Sequence, residues 1–157
     1  MGIKRIGKHL LLNRWRVRRA FPRQALANIE KAIKASEATH AGQIRFVVEG
    51  ALDGAPLFKD QPARERAIDV FAQLRLWDTV NNNGILIYLL LADRGISQKV
   101  QQAEWEKICR VMEAEFRAKN FEGGVLKGIS AVTKLLAKHF PASGRHGNEL
   151  PDRPVVL

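Results

Sequence analysis

The sequence predicts an α/β domain: a small, mostly parallel sheet built on a βαβ unit and covered by helices, with a basic N-terminal arm. Three observations lead there. Residues 43–49 (QIRFVVE) alternate β-branched and aromatic positions with polar ones, and residues 85–92 form an unbroken apolar run. Between them, residues 63–76 set Ala67, Ile68, Phe71 and Leu74 on one helical face. A strand apolar on both faces is the pattern of a central parallel strand under helices, and strand, helix, strand in that order reads as a βαβ unit.

The other elements follow from punctuation and periodicity. Pro22 stands where a helix can begin without losing a needed N–H, and Leu26, Ile29 and Ile33 then recur at helical spacing. Thr39-His40-Ala41-Gly42 is the exit from that helix and the entry to the first strand. Gly54, Pro56 and Pro62 mark a loop, and Asn81-Asn82-Asn83-Gly84 marks the turn into the second strand, since Asn and Gly tolerate the left-handed backbone of tight turns. Trp105, Ile108, Cys109, Met112 and Phe116 predict a third helix, and Val125, Ile129, Val132, Leu136 and Phe140 a fourth that Pro141 ends. From Gly144, a stretch with Pro151 and Pro154 reads as extended.

At 157 residues the chain fits one domain, and 46% apolar with 27% charged residues is ordinary for a globular protein. The net charge of +10 is unevenly spread. Lys4, Arg5, Lys8, Arg14, Arg16, Arg18, Arg19 and Arg23 stand in residues 1–23 with no Asp or Glu, whereas the remaining 18 Lys and Arg meet 16 Asp and Glu. The positive field therefore belongs to the arm and not to the body. A single cysteine, Cys109, excludes an intrachain disulfide and points to a reducing compartment. Leu10-Leu11-Leu12 is too short for the core of a signal peptide, and residues 85–92 fall well short of the roughly 20 apolar residues of a membrane helix. The expected location is cytoplasmic, peripheral on the inner membrane face if the arm anchors there.

The ordered set Glu37-Ala38-Thr39-His40-Ala41-Gly42-Gln43-Ile44-Arg45, then Arg64-Glu65-Arg66-Ala67, Trp77-Asp78-Thr79, Asn82-Asn83-Gly84-Ile85-Leu86-Ile87-Tyr88 and Asp93-Arg94, resembles the pattern of the TPM domain family, which includes thylakoid-lumen acid phosphatase-like proteins. The tail 148–154 resembles that of small bacterial members lacking a signal peptide and a C-terminal membrane helix. The resemblance implies a TPM-like domain over residues 23–140, between the arm at 1–22 and an extended tail at 141–157. In the family a further strand follows the second one and ends in a second Gly-rich turn; here Ala92-Asp93-Arg94-Gly95-Ile96 occurs once and leads towards a helix. Two strands alone are seldom a stable sheet, so residues 96–100, residues 155–157, a second chain or a segment missing from this sequence must supply more.

Some TPM domains are described as binding metal, with calcium the usual candidate, and as weak acid phosphatases. Calcium takes about six to eight oxygen ligands. The resemblance makes Asp78 and Asn83, or Glu49 and Asp93, the candidate donors, but not all four at one ion. Glu49 and Asp93 belong at the carboxyl ends of the strands, the default ligand crevice of an open α/β sheet, and Asp78 with the Asn run belongs at the other end. Asn-Asn-Asn-Gly is equally what a turn demands. Arg94 could orient a phosphate through its planar donor fork or simply pair with Asp93. No Cys-x5-Arg loop, Asp-x-Asp pair or Gly-rich phosphate loop stands in the sequence, so a non-catalytic accessory or binding module is favoured over a metal-dependent hydrolase of phosphate esters. Arg14, Trp15, Arg16, Arg18 and Arg19 are the expected contacts to an anionic membrane surface or an acidic protein partner. Interleaved aliphatics such as Ile3, Ile6 and Leu10 suit an interface better than a nucleic-acid arm. The alternative is an arm that packs its leucines on its own domain.

Overall fold

The computed structural model describes residue 15 and residues 17–49, 62–88, 91–92, 99–142 and 147–157. Its elements in chain order are α1 (Arg23–Glu37), β1 (Gln43–Val48), α2 (Ala63–Gln73), a 3-10 turn (Leu76–Asp78), β2 (Gly84–Ile87), β3 (Leu91–Ala92), α3 (Gln102–Arg117), α4 (Phe121–His139) and β4 (Val155–Val156). The sheet has four strands in the order β3-β2-β1-β4. β1 pairs in parallel with β2 (Ile44↔Ile85, Phe46↔Ile87) and with β4 (Val47↔Val155, Val48↔Val156). The fold is therefore α/β, with parallel strands β2, β1 and β4 and α2 as the crossover between β1 and β2.

The period of two along each strand divides the core. Ile44, Phe46, Ile85 and Ile87 turn to one face, where they join Ile29 and Ile33 of α1, Trp105 and Ile108 of α3, and Ile129, Val132 and Leu136 of α4. Val47 and Leu86 turn to the other, against Val70 and Phe71 of α2 and Leu76. Among the described residues, one helix thus covers one face and three cover the opposite one. The helical stripes run as the spacing predicts, except in α2: Ile68 is exposed, and Val70 takes the buried place beside Ala67 and Phe71. Pro22 precedes α1 in an extended conformation, and the Asn120 side chain accepts from the Gly123 N–H at 3.2 Å to cap α4.

The run at 85–92 is not one strand. β2 stops at Ile87, and Leu91–Ala92 return antiparallel on it (Ile85↔Ala92, Leu86↔Leu91). An apolar run is satisfied as well by two short strands folded on each other as by one long strand, because either arrangement buries the same side chains. Periodicity carries no signal for that reversal. β2 is nevertheless interior, lying between β3 and β1. The chain's last residues provide the fourth strand, and the Leu157 N–H donates to the Val48 carbonyl at 3.0 Å.

Gly84 opens β2 where a Cβ would meet the Leu76 carbonyl oxygen at 2.6 Å, whereas at Gly128 it would meet the Met112 sulfur at 2.5 Å. A backbone carbonyl cannot swing aside; a methionine can. Gly84→Ala is therefore expected to cost about 2–3 kcal/mol and Gly128→Ala clearly less, read as shifts in the urea midpoint at unchanged slope.

Candidate functional site

Glu49 follows β1, and its carboxylate accepts from Arg66 Nε at 3.0 and 3.1 Å, from Arg66 Nη2 at 2.7 Å and from the Tyr88 hydroxyl at 2.9 Å. The ion pair is nearly buried, with Arg66 and Glu49 side chains 13% and 6% exposed. The bidentate fork holds the Arg66 guanidinium above its usual range, chiefly through its hydrogen bonds to Glu49. Tyr88 is pushed up to about 12, first by burial and then by the carboxylate that accepts its proton. This is the carboxyl end of the parallel strands, where the sequence places Glu49. Its predicted companions Asp93 and Arg94 lie outside the described residues.

At the opposite end the backbone is tied by side chains. The Thr79 hydroxyl accepts from the Asn83 N–H at 3.0 Å, Asn83 Nδ2 donates to the Ala41 carbonyl at 2.6 Å, and the Gln43 N–H donates to the Asn83 carbonyl at 3.0 Å. Asn82 takes the left-handed conformation at φ 50°. Asn83 is fully buried and joins the entries of β1 and β2, while Asp78 points to solvent. His40 is also buried, and burial holds its imidazole below the ordinary range and hence neutral.

A second group was not foreseen from the sequence. The Glu37 carboxyl accepts from the Ile44 N–H at 2.9 Å, on a stretch of β1 that β4 does not reach, and lies against Asp152 from the tail. Burial, with the like charge of Asp152, pushes Glu37 up to about 8. Arg45 beside them is 94% buried by area and is drawn below its usual range by that burial, against the pull of Asp152 and Glu37. Gln43 completes the tail's attachment, its Oε1 accepting from the Glu149 and Leu150 N–H groups at 3.0 Å each.

The candidate calcium donors that are described differ in what already holds them. Both Glu49 oxygens are engaged by Arg66 and Tyr88. Asn83 Nδ2 is spent on the Ala41 carbonyl, while its buried Oδ1 has no hydrogen-bond partner among the described residues, and Asp78 is exposed. Among the described residues no group of three or more His, Cys, Asp and Glu side chains converges to hold a metal. The arm's described end is helical at residues 17–20, with Val17 and Ala20 against the core and Phe21 inside it, 5.5 Å from Phe46 and 6.1 Å from Phe121. Trp15 is 60% exposed, Arg19 stacks over its ring at 5.3 Å, and Arg18 is exposed beside them. Arg14 and Arg16 lie outside the described residues. No helix among the described residues is long and apolar enough to cross a membrane.

Two outcomes test these clusters. Tyr88 is the single tyrosine, so an ultraviolet titration reads it alone; its midpoint should lie near 12 and fall back towards the ordinary 10 in Glu49→Gln, with about 3 kcal/mol of stability lost because Arg66 is left without its partner. Glu37 is raised in the folded state from 4.5 to about 8, so the native protein holds a proton the unfolded chain releases; that contribution is complete below pH 4.5 and disappears as pH rises through about 8. Glu37→Gln keeps both an acceptor and a donor without the charge. It should flatten the fall in melting temperature across this window and be the more stable form at its upper end, by on the order of 1 kcal/mol since water reaches the group.

A model of the TPM domain matches residues 18–135. Among solved structures, the NMR structure of the BA42 protein from the psychrophilic bacterium Bizionia argentinensis is similar with a TM-score of 0.76 and 27% identity, over 85% of this chain and 93% of that one. No curated protein matches. The matched segment runs from the arm's docked end into α4 and includes β1, α2, β2 and both clusters' helical and strand members; the chain belongs to the TPM domain family.

Proposed function

We propose that this TPM domain is a non-catalytic accessory module that attaches to an anionic membrane surface through its basic arm. The observation that carries the reading is the two-sided end of that arm. Val17, Ala20 and Phe21 fix it to the domain, while Trp15, Arg18 and Arg19 face water from the other side. Trp77 is also exposed, at 52%, but its ring packs on Phe71 at 4.4 Å, whereas an arginine is the contact described for the Trp15 ring. With a guanidinium over its face and a second one beside it, it has the chemistry of a lipid-headgroup contact: a ring for the interfacial region and cations for the phosphates. Eight basic residues and no acidic one in residues 1–23 supply the long-range attraction.

A phosphate-ester hydrolase that used Glu49 as its metal ligand would require that carboxylate to leave Arg66, a costly step for a nearly buried pair. The cluster therefore supports the fold more than it invites a substrate.

Binding to vesicles rich in phosphatidylglycerol should fall steeply with salt, because charges are screened within about 8 Å at physiological ionic strength. Trp15→Ser, and separately the pair Arg18→Glu with Arg19→Glu, should weaken binding about tenfold or more, with stability changed by less than about 0.5 kcal/mol as for ordinary surface substitutions. Unchanged vesicle binding in both variants sinks the proposal.

A further inference from the structure

The sheet ends at β4, and beside that edge runs a groove nothing in the described residues fills. It comprises two adjoining cavities of about 790 and 630 Å3 that share Arg23, Leu26, Arg153 and Val156. Its floor is apolar, from Phe21 and Leu26 on the helical side to Val156 and Leu157 on the strand, the last two being 48% and 39% exposed. Its rim is cationic: Arg18, Arg23 and Arg153 against Glu30, and none of these three arginines has an ion-pair partner among the described residues.

The backbone of the edge is also available. Since Leu157 N–H donates to Val48 and Val155 stands opposite Val47, alternation along the strand turns the Val156 N–H and C=O away from β1. We propose that this edge and groove bind an acidic, extended peptide segment, which adds a strand beside β4 through Val156, lays apolar side chains on the floor and meets Arg18, Arg23 and Arg153 with its carboxylates. Strand addition supplies backbone hydrogen bonds for affinity and alternate side chains for selection. A lipid has no use for the strand's N–H. A second copy of this chain would bring the same arginines face to face across a two-fold axis, which like-charge repulsion opposes. The site shares Arg18 with the arm's outer face, but its strand edge, Arg23 and Arg153 lie outside that face, so it stands if vesicle binding fails.

The test uses the full-length protein and a fluorescein-labelled, end-capped hexapeptide alternating glutamate and valine, with a lysine–valine hexapeptide as control. Anisotropy should show binding of the acidic peptide alone, and the amide resonances of Val156, Arg23 and Leu26 should shift. Val156→Pro removes the outward N–H and none of the bonds to β1, so it should weaken the peptide at least about tenfold without lowering the melting temperature. Arg153→Glu should weaken it comparably, and keeps the test decisive if the proline perturbs the strand. The proposal is overturned by equal binding of the lysine peptide, or by no binding of the acidic one. It is overturned equally by Val156→Pro and Arg153→Glu that both bind like the parent, by phosphatidylglycerol vesicles competing for the groove at those residues, or by a dimer in sedimentation that Val156→Pro dissolves.

Discussion

β1 is used on every side, and the rest of the molecule is arranged around that fact. One edge pairs with β2 and the other with β4. Ile44 and Phe46 close the core beneath α1, α3 and α4, and Val47 closes the smaller core beneath α2. A strand buried in this way must have all its backbone groups bonded, since an orphaned N–H in the interior forfeits its hydration without return. β4 is only two residues long and leaves the Ile44 N–H uncovered. Glu37 is the substitute partner, a side chain doing for Ile44 what a longer strand would have done.

That substitution explains the unusual ionisation at this end of the sheet. A carboxyl serving a backbone N–H from a half-buried position, with Asp152 beside it, is easier to hold protonated than charged. The proton lets Glu37 accept from the strand and donate to the tail's carboxylate at once. Together with Gln43, which receives two N–H groups of the tail, it makes the attachment of residues 149–157 a property of β1 itself. Alternation puts Gln43 and Arg45 on the same side of the sheet as Val47, where Gln43 holds the tail and Arg45 lies near Glu37 and Asp152.

The carboxyl end follows a different economy. Glu49 binds α2 to the residue after β2 through Arg66 and Tyr88, so the same side chain that a ligand crevice would offer is the clasp of the βαβ unit. Function is therefore better sought at surfaces the fold leaves unspent: the face of Trp15 and its arginines, and the margin of β4. Both combine exposed apolar groups with cations in a body whose remaining charge is nearly balanced, and both are made from segments outside the central βαβ unit.

What the sequence by itself determined was local and periodic. The alternation in residues 43–49, the helical stripes of α1, α3 and α4, the turn at Asn82 and the concentration of positive charge before residue 24 are all consequences of side-chain chemistry within a few residues. The order of motifs that marks the family is of the same kind, and Glu37, Arg66, Tyr88 and Asp152 all stand within those strings, though nothing in them says which touches which. Only the tertiary structure decided that the run at 85–92 reverses into a hairpin, that the last residues return as β4, and that Glu49 faces Arg66 while Glu37 faces Asp152. Those outcomes join residues up to 115 positions apart, as Glu37 and Asp152 are, and depend on which backbone groups remain unpaired once the sheet has formed, a quantity no stretch of the chain carries on its own.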